Sequence, residues 1–236
     1  MIPTLLRREP PNGYLVYLLT LDGETPLLMS SGEADRESPL YREYRAVSKT
    51  RAKTLEQEAK LRELEWHTRI YFDEELGPYV PGKNVKEMLR SAATKWKLGE
   101  AVKRSLVIPD YRIPLTYEGP RDLSGLWEQG FRYTTMVANA GAGAGRVERT
   151  RPCFDSWSLT CEIAFDTDEL DPDQVASLVK RSEKYGLGDY RPEFGAFTTS
   201  LEFVREQKAH IEANGAKPRD KRAELAKKKH HERVTA

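Results

Sequence analysis

The segment 186–195 brings together residue types that can bind a phosphorylated ligand: three glycines, one arginine and two aromatic residues within ten positions. Glycine reaches positive φ and lets backbone amides approach a ligand closely. Arg191 offers a guanidinium fork that can hold a phosphate through two hydrogen bonds, and Tyr190 or Phe194 can stack on a base. Asp189 is predicted to orient Arg191. The alternative is a tight connection in which the glycines serve only turn geometry.

A second cationic group follows a glycine-alanine stretch at 138–145. Two strand-like segments flank that stretch, so residues 131–151 are predicted to form a long hairpin. Arg149 and Arg151 would share one face of the returning strand, because side chains alternate with a period of two. Together with Arg146, these arginines indicate a flexible hairpin that contacts an anionic polymer. The alternative is an insertion whose charges are only solvated.

Nucleophilic and metal-dependent catalysis have little support in the sequence. There is no Gly-x-Ser-x-Gly motif, and three of the four histidines lie beyond residue 209. His67 is the remaining candidate for a general acid or base, and a structural role in a strand is the alternative. Cys153 and Cys161 show no metal-ligand spacing, so no metal site and no cofactor are predicted.

Bulk composition limits the class of protein without identifying a ligand. The 236 residues are 39% hydrophobic and 32% charged, with a net charge of +1. Residues 205–236 hold ten Lys or Arg against five Asp or Glu, so they form a basic tail with a local charge of +5. No signal peptide or membrane-spanning run is evident, and a cytoplasmic protein in a bacterial host is expected.

The elements that would position these residues follow from periodicity and capping signals. The polar stretch 30–40 is predicted to be a loop, and Pro81-Gly82 is predicted to begin a helix. Asp171-Pro172-Asp173 is a strong helix start, because an N-cap, a proline and an acid occupy the first turn. Strands are predicted at 14–21, 66–72, 131–138, 156–166 and 197–203. Helices are predicted at 48–65, 83–98 and from 172 to a C-terminal cap at Gly186.

This order resembles an α+β, ferredoxin-like βαββαβ domain of the RRM or RAMP type, the fold of CRISPR backbone and processing subunits. The stretch Thr25-Pro-Leu-Leu-Met29 followed by Val80-Pro-Gly-Lys-Asn-Val-Lys-Glu-Met-Leu-Arg90 is similar to the pattern that begins the first RAMP helix. The glycine-rich loop at 186–195, followed by Phe197, is similar to the C-terminal RAMP loop. Arg151-Pro-Cys-Phe-Asp-Ser-Trp157 and Gly186-Leu-Gly-Asp-Tyr-Arg-Pro192 also resemble motifs of uncharacterised bacteriophage proteins.

The resemblance implies one domain over 1–204, with a partly helical insertion at 30–65 and a thumb-like hairpin at 131–151. It further implies that single-stranded RNA or DNA binds across the sheet face and at the first helix. Homo-oligomers, or a subunit of a ribonucleoprotein, would then assemble as several copies along the strand. The predicted contact residues are Lys83, Lys86, Arg90, Arg146, Arg149, Arg151, Gly186, Gly188, Tyr190 and Arg191.

Two other functions remain open at this stage. One is a metal-independent RAMP-type endoribonuclease, which would use His67 and the backbone amides of 186–195. The other is a protein-interaction module that mimics a subunit of a host complex. The near-neutral net charge is compatible with this protein-interaction hypothesis. Among all three functions, those without enzymatic activity are favoured.

Overall fold

The computed structural model describes residues 7–138 and 145–207, and the following elements lie within them. The strands are β1 Leu15–Gly23, β2 Leu27–Leu28, β3 Phe72–Asp73, β4 Gly77–Pro81, β5 Leu106–Val107, β6 Arg112–Pro114, β7 Arg132–Ala138, β8 Arg146–Phe154, β9 Ser158–Phe165 and β10 Phe197–Glu206. The helices are α1 Pro39–Lys49, α2 Leu55–Arg69, α3 Gly82–Thr94, α4 Gly99–Ser105, α5 Leu123–Glu128 and α6 Pro172–Ser182.

The main sheet is antiparallel, with strand order β10-β1-β9-β5. Strands β1 and β9 occupy its centre, as expected for segments with alternating apolar residues. The chain crosses from β1 to β5 through α3 and α4, and from β9 to β10 through α6. Mixed helices and antiparallel strands confirm the predicted α+β class.

Helices α3 and α6 pack against each other over one face of this sheet. The predicted stripe of α3 is buried at Val85, Met88, Leu89 and Ala92, whereas Trp96 lies beyond the helix end and is 41% exposed. Helix α6 begins where the sequence predicted. Asp171 and Gln174 form a reciprocal capping box, which satisfies amide groups that the first turn leaves without helical partners.

Two smaller three-stranded sheets extend from this core, with orders β2-β8-β7 and β3-β4-β6. Strands β7 and β8 form the predicted hairpin, with Arg132 opposite Pro152 and Ala138 opposite Arg146. The predicted glycine-alanine tip falls on residues 139–144, which lie outside the described residues. The basic tail from 208 onward also lies outside them, although β10 continues past the predicted boundary to Glu206.

The region 30–72 differs from the prediction. Helix α1 begins at Pro39 after an N-cap at Ser38, and α2 continues through Arg69. The predicted strand at 66–72 is therefore wrong, and His67 lies in a helix. A capping box at Thr54 and Gln57 fixes the start of α2, and fully buried Trp66 donates to the carbonyl of Phe131. Tertiary packing of one helical face thus overrides the local β preference.

No helix among residues 7–138 and 145–207 is both long and apolar enough to cross a membrane.

Candidate nucleic-acid interface

A cleft of about 500 Å³ separates the 186–195 loop from helix α3, with β2 as its floor. The two motifs that were singled out in the sequence, about a hundred residues apart, therefore meet at one site. The apolar part of the lining is Leu27, Leu28, Met29, Val80, Met88 and Leu187. The polar part is Ser30, Tyr71, Asn84, Glu87, Ser91, Asp189 and Arg191, with Gly188 between them.

Backbone hydrogen bonds hold the loop against the β2 segment. The amide of Asp189 donates to the carbonyl of Leu28 at 2.9 Å, and the amide of Gly195 donates to the carbonyl of Pro26 at 2.8 Å. Within the loop, the amide of Leu187 donates to the carbonyl of Gly195 at 2.8 Å. The amides of Leu187, Asp189 and Gly195 are thus engaged inside the protein, which leaves fewer loop amides to hold a phosphate as the endoribonuclease hypothesis requires.

Two glycines are required here by close backbone contact. At Gly188, with φ +88°, an added Cβ would lie 2.4 Å from the carbonyl oxygen of Leu28. At Gly195, with φ +68°, it would lie 1.7 Å from the carbonyl oxygen of Leu187. Gly186 also has positive φ but follows the end of α6 by four residues, so it caps a turn and not the helix itself. The glycines let the loop close onto β2, and the outer side of the loop then forms one wall of the cleft.

Asp189 does not orient Arg191, contrary to the sequence prediction. Its Oδ2 accepts a hydrogen bond from Nε of Arg151 at 3.0 Å. The same guanidinium donates to Oε1 of Glu65 on α2 at 3.1 Å. Burial by itself would lower the pKa of Arg151, but its bonds to Asp189 and Glu65 outweigh that effect and raise the pKa. Arg151 therefore serves as an internal bridge, which leaves little of its charge for a ligand.

The three predicted cations of α3 occupy different surroundings. Asn84, Glu87 and Ser91 face the cleft. An α-helix has about 3.6 residues per turn, so Lys83 and Arg90 border that face and Lys86 points away from it. Lys83 is paired with Glu33, and Nε of Arg90 lies 2.7 Å from Oε2 of Glu87. Lys86 donates to the carbonyl of Lys103 at 2.9 Å. Lys83 and Arg90 could therefore contact a ligand only while they also contact their glutamate partners, or after leaving them.

Arg191 is the cation best placed to meet a ligand. Its side chain is exposed at the edge of the cleft and, among the described residues, forms no ion pair. Tyr190 is half-buried, and Phe194 packs on Tyr133 of β7 at a ring distance of 5.0 Å. Arg149 lies 3.5 Å from Glu65, and Arg146 is exposed at the outer end of β8. The loop and the hairpin are thus joined through an aromatic contact as well as through Arg151.

The open face of the main sheet is polar, and the arginines on it are paired with acidic residues. Thr20 and Thr160 approach each other at 3.2 Å between their Oγ1 atoms. Glu162 accepts two hydrogen bonds from Arg205, at 2.8 and 3.1 Å, and a third from Arg7. The segment that carries Arg7 crosses this face and also pairs with Asp110. The cleft is therefore a better candidate site for a single-stranded nucleic acid than the sheet face, which the resemblance implied.

His67 does not line the cleft. Its ring packs edge-on against Trp66 with centroids 4.9 Å apart, and burial lowers its pKa. These contacts favour a structural role for this histidine, although it lies in a helix and not in the strand expected from the sequence. Among the described residues, no cluster of three His, Cys, Asp or Glu side chains could hold a metal ion.

Several lining residues were missed in the sequence. Asn84, Glu87 and Ser91 share one face of α3 at i, i+3 and i+7, and this spacing was a usable signal. The contribution of β2 was not predictable in the same way, because its position depends on long-range pairing of Leu27 and Leu28 with Phe154 and Cys153.

No protein-family model matches the sequence, and no curated protein is significantly similar to it. Among solved structures, it is similar to a chain of the cryo-EM structure of the Type III-B Cmr-beta complex bound to cognate target RNA. The identity is 12% and the TM-score 0.47, over 85% of this chain and 62% of that chain. The chain thus spans less than two thirds of its structural neighbour, and likeness at this level assigns neither a family nor a function.

Proposed function

We propose that this chain binds single-stranded nucleic acid at the cleft between the 186–195 loop and helix α3. The observation that carries the proposal is Arg191, which is exposed at the edge of the cleft and forms no ion pair among the described residues. A cation in a loop that also carries a half-buried tyrosine, Tyr190, fits a polymer that alternates phosphates with flat bases. The cleft volume also lies in the range of ligand pockets that bury a group of nucleotide size.

The fold proposed for this function is ferredoxin-like and of the RAMP type. Its support is the strand order β10-β1-β9-β5, with α3 and α4 in one crossover and α6 in the other. That arrangement corresponds to a βαββαβ unit with two insertions, one at residues 24–81 and one at 108–157. The RAMP-like motifs form the two walls of the cleft. By the same resemblance, we propose a phage-related protein that assembles as several copies, with the β7–β8 hairpin as its thumb.

The direct test is binding of fluorescent single-stranded RNA and DNA to the full chain, measured by anisotropy at low and at moderate salt. We expect binding that weakens as salt rises, because neutralised phosphates release counterions. Protein purified from cells should also carry nuclease-sensitive material that raises its ultraviolet absorbance ratio. Failure to bind any oligonucleotide at low salt would refute the proposal.

The endoribonuclease hypothesis is less favoured, since His67 does not line the cleft and the amides of Leu187, Asp189 and Gly195 bond to backbone carbonyls. A cleavage assay in EDTA still separates the two functions. We expect no cleavage by the wild-type chain, whereas cleavage that disappears in His67→Ala would favour the nuclease.

A protein-interaction module remains the second candidate because of strand β10. This strand lies at the edge of the main sheet and exposes Phe203 and Val204, at 58% and 44%. An unpaired edge with apolar side chains can add a strand from a partner. If this is the function, Phe203→Lys should abolish partner capture while oligonucleotides remain unbound by the wild-type protein.

A further inference from the structure

The polar lining of the cleft is rich in hydrogen-bond acceptors. Asn84 lines the cleft, its Nδ2 donates to the hydroxyl of Tyr71 at 3.5 Å, and its side-chain oxygen accepts no hydrogen bond from the described residues. The hydroxyl of Ser91 donates to the backbone carbonyl of Glu87 at 2.7 Å, so its lone pairs remain. Asn84 and Ser91 therefore each use a donor within the protein and keep acceptor capacity for the cleft.

Two carboxylates, Glu87 and Asp189, line the same cleft. Arg90 contacts Oε2 of Glu87, and Oε1 receives no hydrogen bond from the described residues. Both oxygens of Asp189 already accept hydrogen bonds, from Arg151 and from the amide of Tyr190. Glu87 is consequently the carboxylate with free acceptor capacity, and its side chain is 57% exposed.

This lining is unsuited to a phosphate within the cleft, because two carboxylates would repel it. It suits a base that presents adjacent donors on its Watson–Crick edge. Guanine offers N1–H beside the N2 amino group, a pair that fits one carboxylate: Oε1 of Glu87 is open, and Oε2 has a second lone pair beside the bond from Arg90. Adenine and cytosine offer one amino group beside an acceptor, and uracil offers one N–H between two carbonyls.

We infer that the cleft accommodates an unstacked guanine of the bound strand, with Glu87 as the specificity-determining residue. The inference rests on the proposed single-strand binding and adds a base preference to it. The purine would enter the cleft between Glu87 and the 186–195 loop, and Arg191 at the edge would meet the adjoining phosphate. Single-stranded bases are commonly recognised on this edge once they are splayed out.

The test compares RNA oligonucleotides of about twelve uridines, a length within single-strand site sizes, with the same strand carrying one central guanosine or inosine. The wild-type chain should prefer guanosine over uridine by about tenfold, the discrimination expected of one good base contact. Inosine lacks the N2 amino group, so it should fall between the two. In Glu87→Gln the preference should disappear, because the amide turns one acceptor into a donor.

Glu100→Gln is the matched control. Glu100 is exposed and pairs with Lys103 at i,i+3 just as Glu87 pairs with Arg90, but it does not line the cleft. This variant changes net charge equally and should keep the guanosine preference. Equal wild-type affinity for all three strands, or a preference that survives in Glu87→Gln, would overturn the inference while leaving single-strand binding intact. Absence of binding to every strand would instead refute the proposed function.

Discussion

Nε of Arg151 on β8 lies 3.0 Å from Oδ2 of Asp189 in the 186–195 loop. Through its other contact, to Glu65 of α2 at 3.1 Å, one guanidinium joins three segments that are distant in sequence. The side chains of Arg151 and Glu65 are only 10% and 3% exposed. The wall of the cleft is therefore held in place by a buried ion network that originates in the hairpin strand.

Removal of Arg151 should destabilise the fold strongly. In Arg151→Ala, the carboxylate of Glu65 stays buried without its principal partner, a situation that costs about 3–5 kcal/mol. Arg62→Ala is the control, because the Arg62–Glu148 pair is 38% and 41% exposed and such pairs contribute at most about 1 kcal/mol. Urea unfolding monitored by tryptophan fluorescence measures both variants. Equal losses in the two would show that the buried network adds no more stability than an exposed ion pair.

A methyl group at Gly195 should also destabilise the protein, for a steric reason. The added Cβ would overlap the carbonyl oxygen of Leu187, and the residue would keep a positive φ. Backbone strain alone costs about 1–3 kcal/mol, so Gly195→Ala should lose at least about 2 kcal/mol in the same measurement. Gly32→Ala, where nothing lies within 4 Å of the new Cβ, should change stability by no more than about 1 kcal/mol. A tolerated Gly195→Ala would mean that the loop does not close against its own backbone.

The elements that local signals define were predictable from the sequence. Strict alternation predicted β9, and the capping residues at Asp171 predicted the start of α6. The hairpin followed from two β-rich arms around a glycine-alanine stretch. In each case neighbouring residues contain the information, because capping bonds and strand periodicity act over a few positions.

Features that depend on distant partners were not predictable. The segment around Trp66 has strand-like composition, but the indole is buried against the far hairpin and the segment is helical. Asp189 was expected to orient Arg191, two positions away, whereas it pairs with Arg151, 38 positions away. Sequence proximity favours the wrong partner in such cases, since only the folded chain brings Glu65 and Arg151 into reach.

Stability should depend on pH through Glu162 in the main sheet. Burial alone would raise the pKa of this carboxyl, but the hydrogen bonds from Arg205 and the charge of Arg7 lower it below its ordinary value. A carboxyl with a lowered pKa contributes stability at neutral pH, and this contribution is lost as the pH falls through the folded-state pKa.

Glu162→Gln should therefore lower the free energy of unfolding by about 1.5–3 kcal/mol at pH near 7, the range for hydrogen bonds to charged groups. The difference from wild type should shrink as the pH falls below the ordinary glutamate range. Urea titrations at several pH values measure it, with exposed Glu202→Gln on β10 as the control. A difference that stays constant across this acidic range would contradict the assignment of Glu162 as a stabilising anion.

Loss of Arg191 should weaken binding of single strands without affecting the fold. The side chain is exposed and forms no ion pair among the described residues, so Arg191→Ala should unfold at the same urea concentration as wild type. If Arg191 neutralises one phosphate, the slope of log affinity against log salt should become less steep by about 0.7, the value for single strands. Anisotropy titrations over a series of salt concentrations measure this slope for uridine oligonucleotides. Lys184→Ala is the control, because Lys184 is also exposed, near the end of α6, but does not line the cleft. If both variants change the slope equally, the cation acts through net charge and not through its position at the cleft.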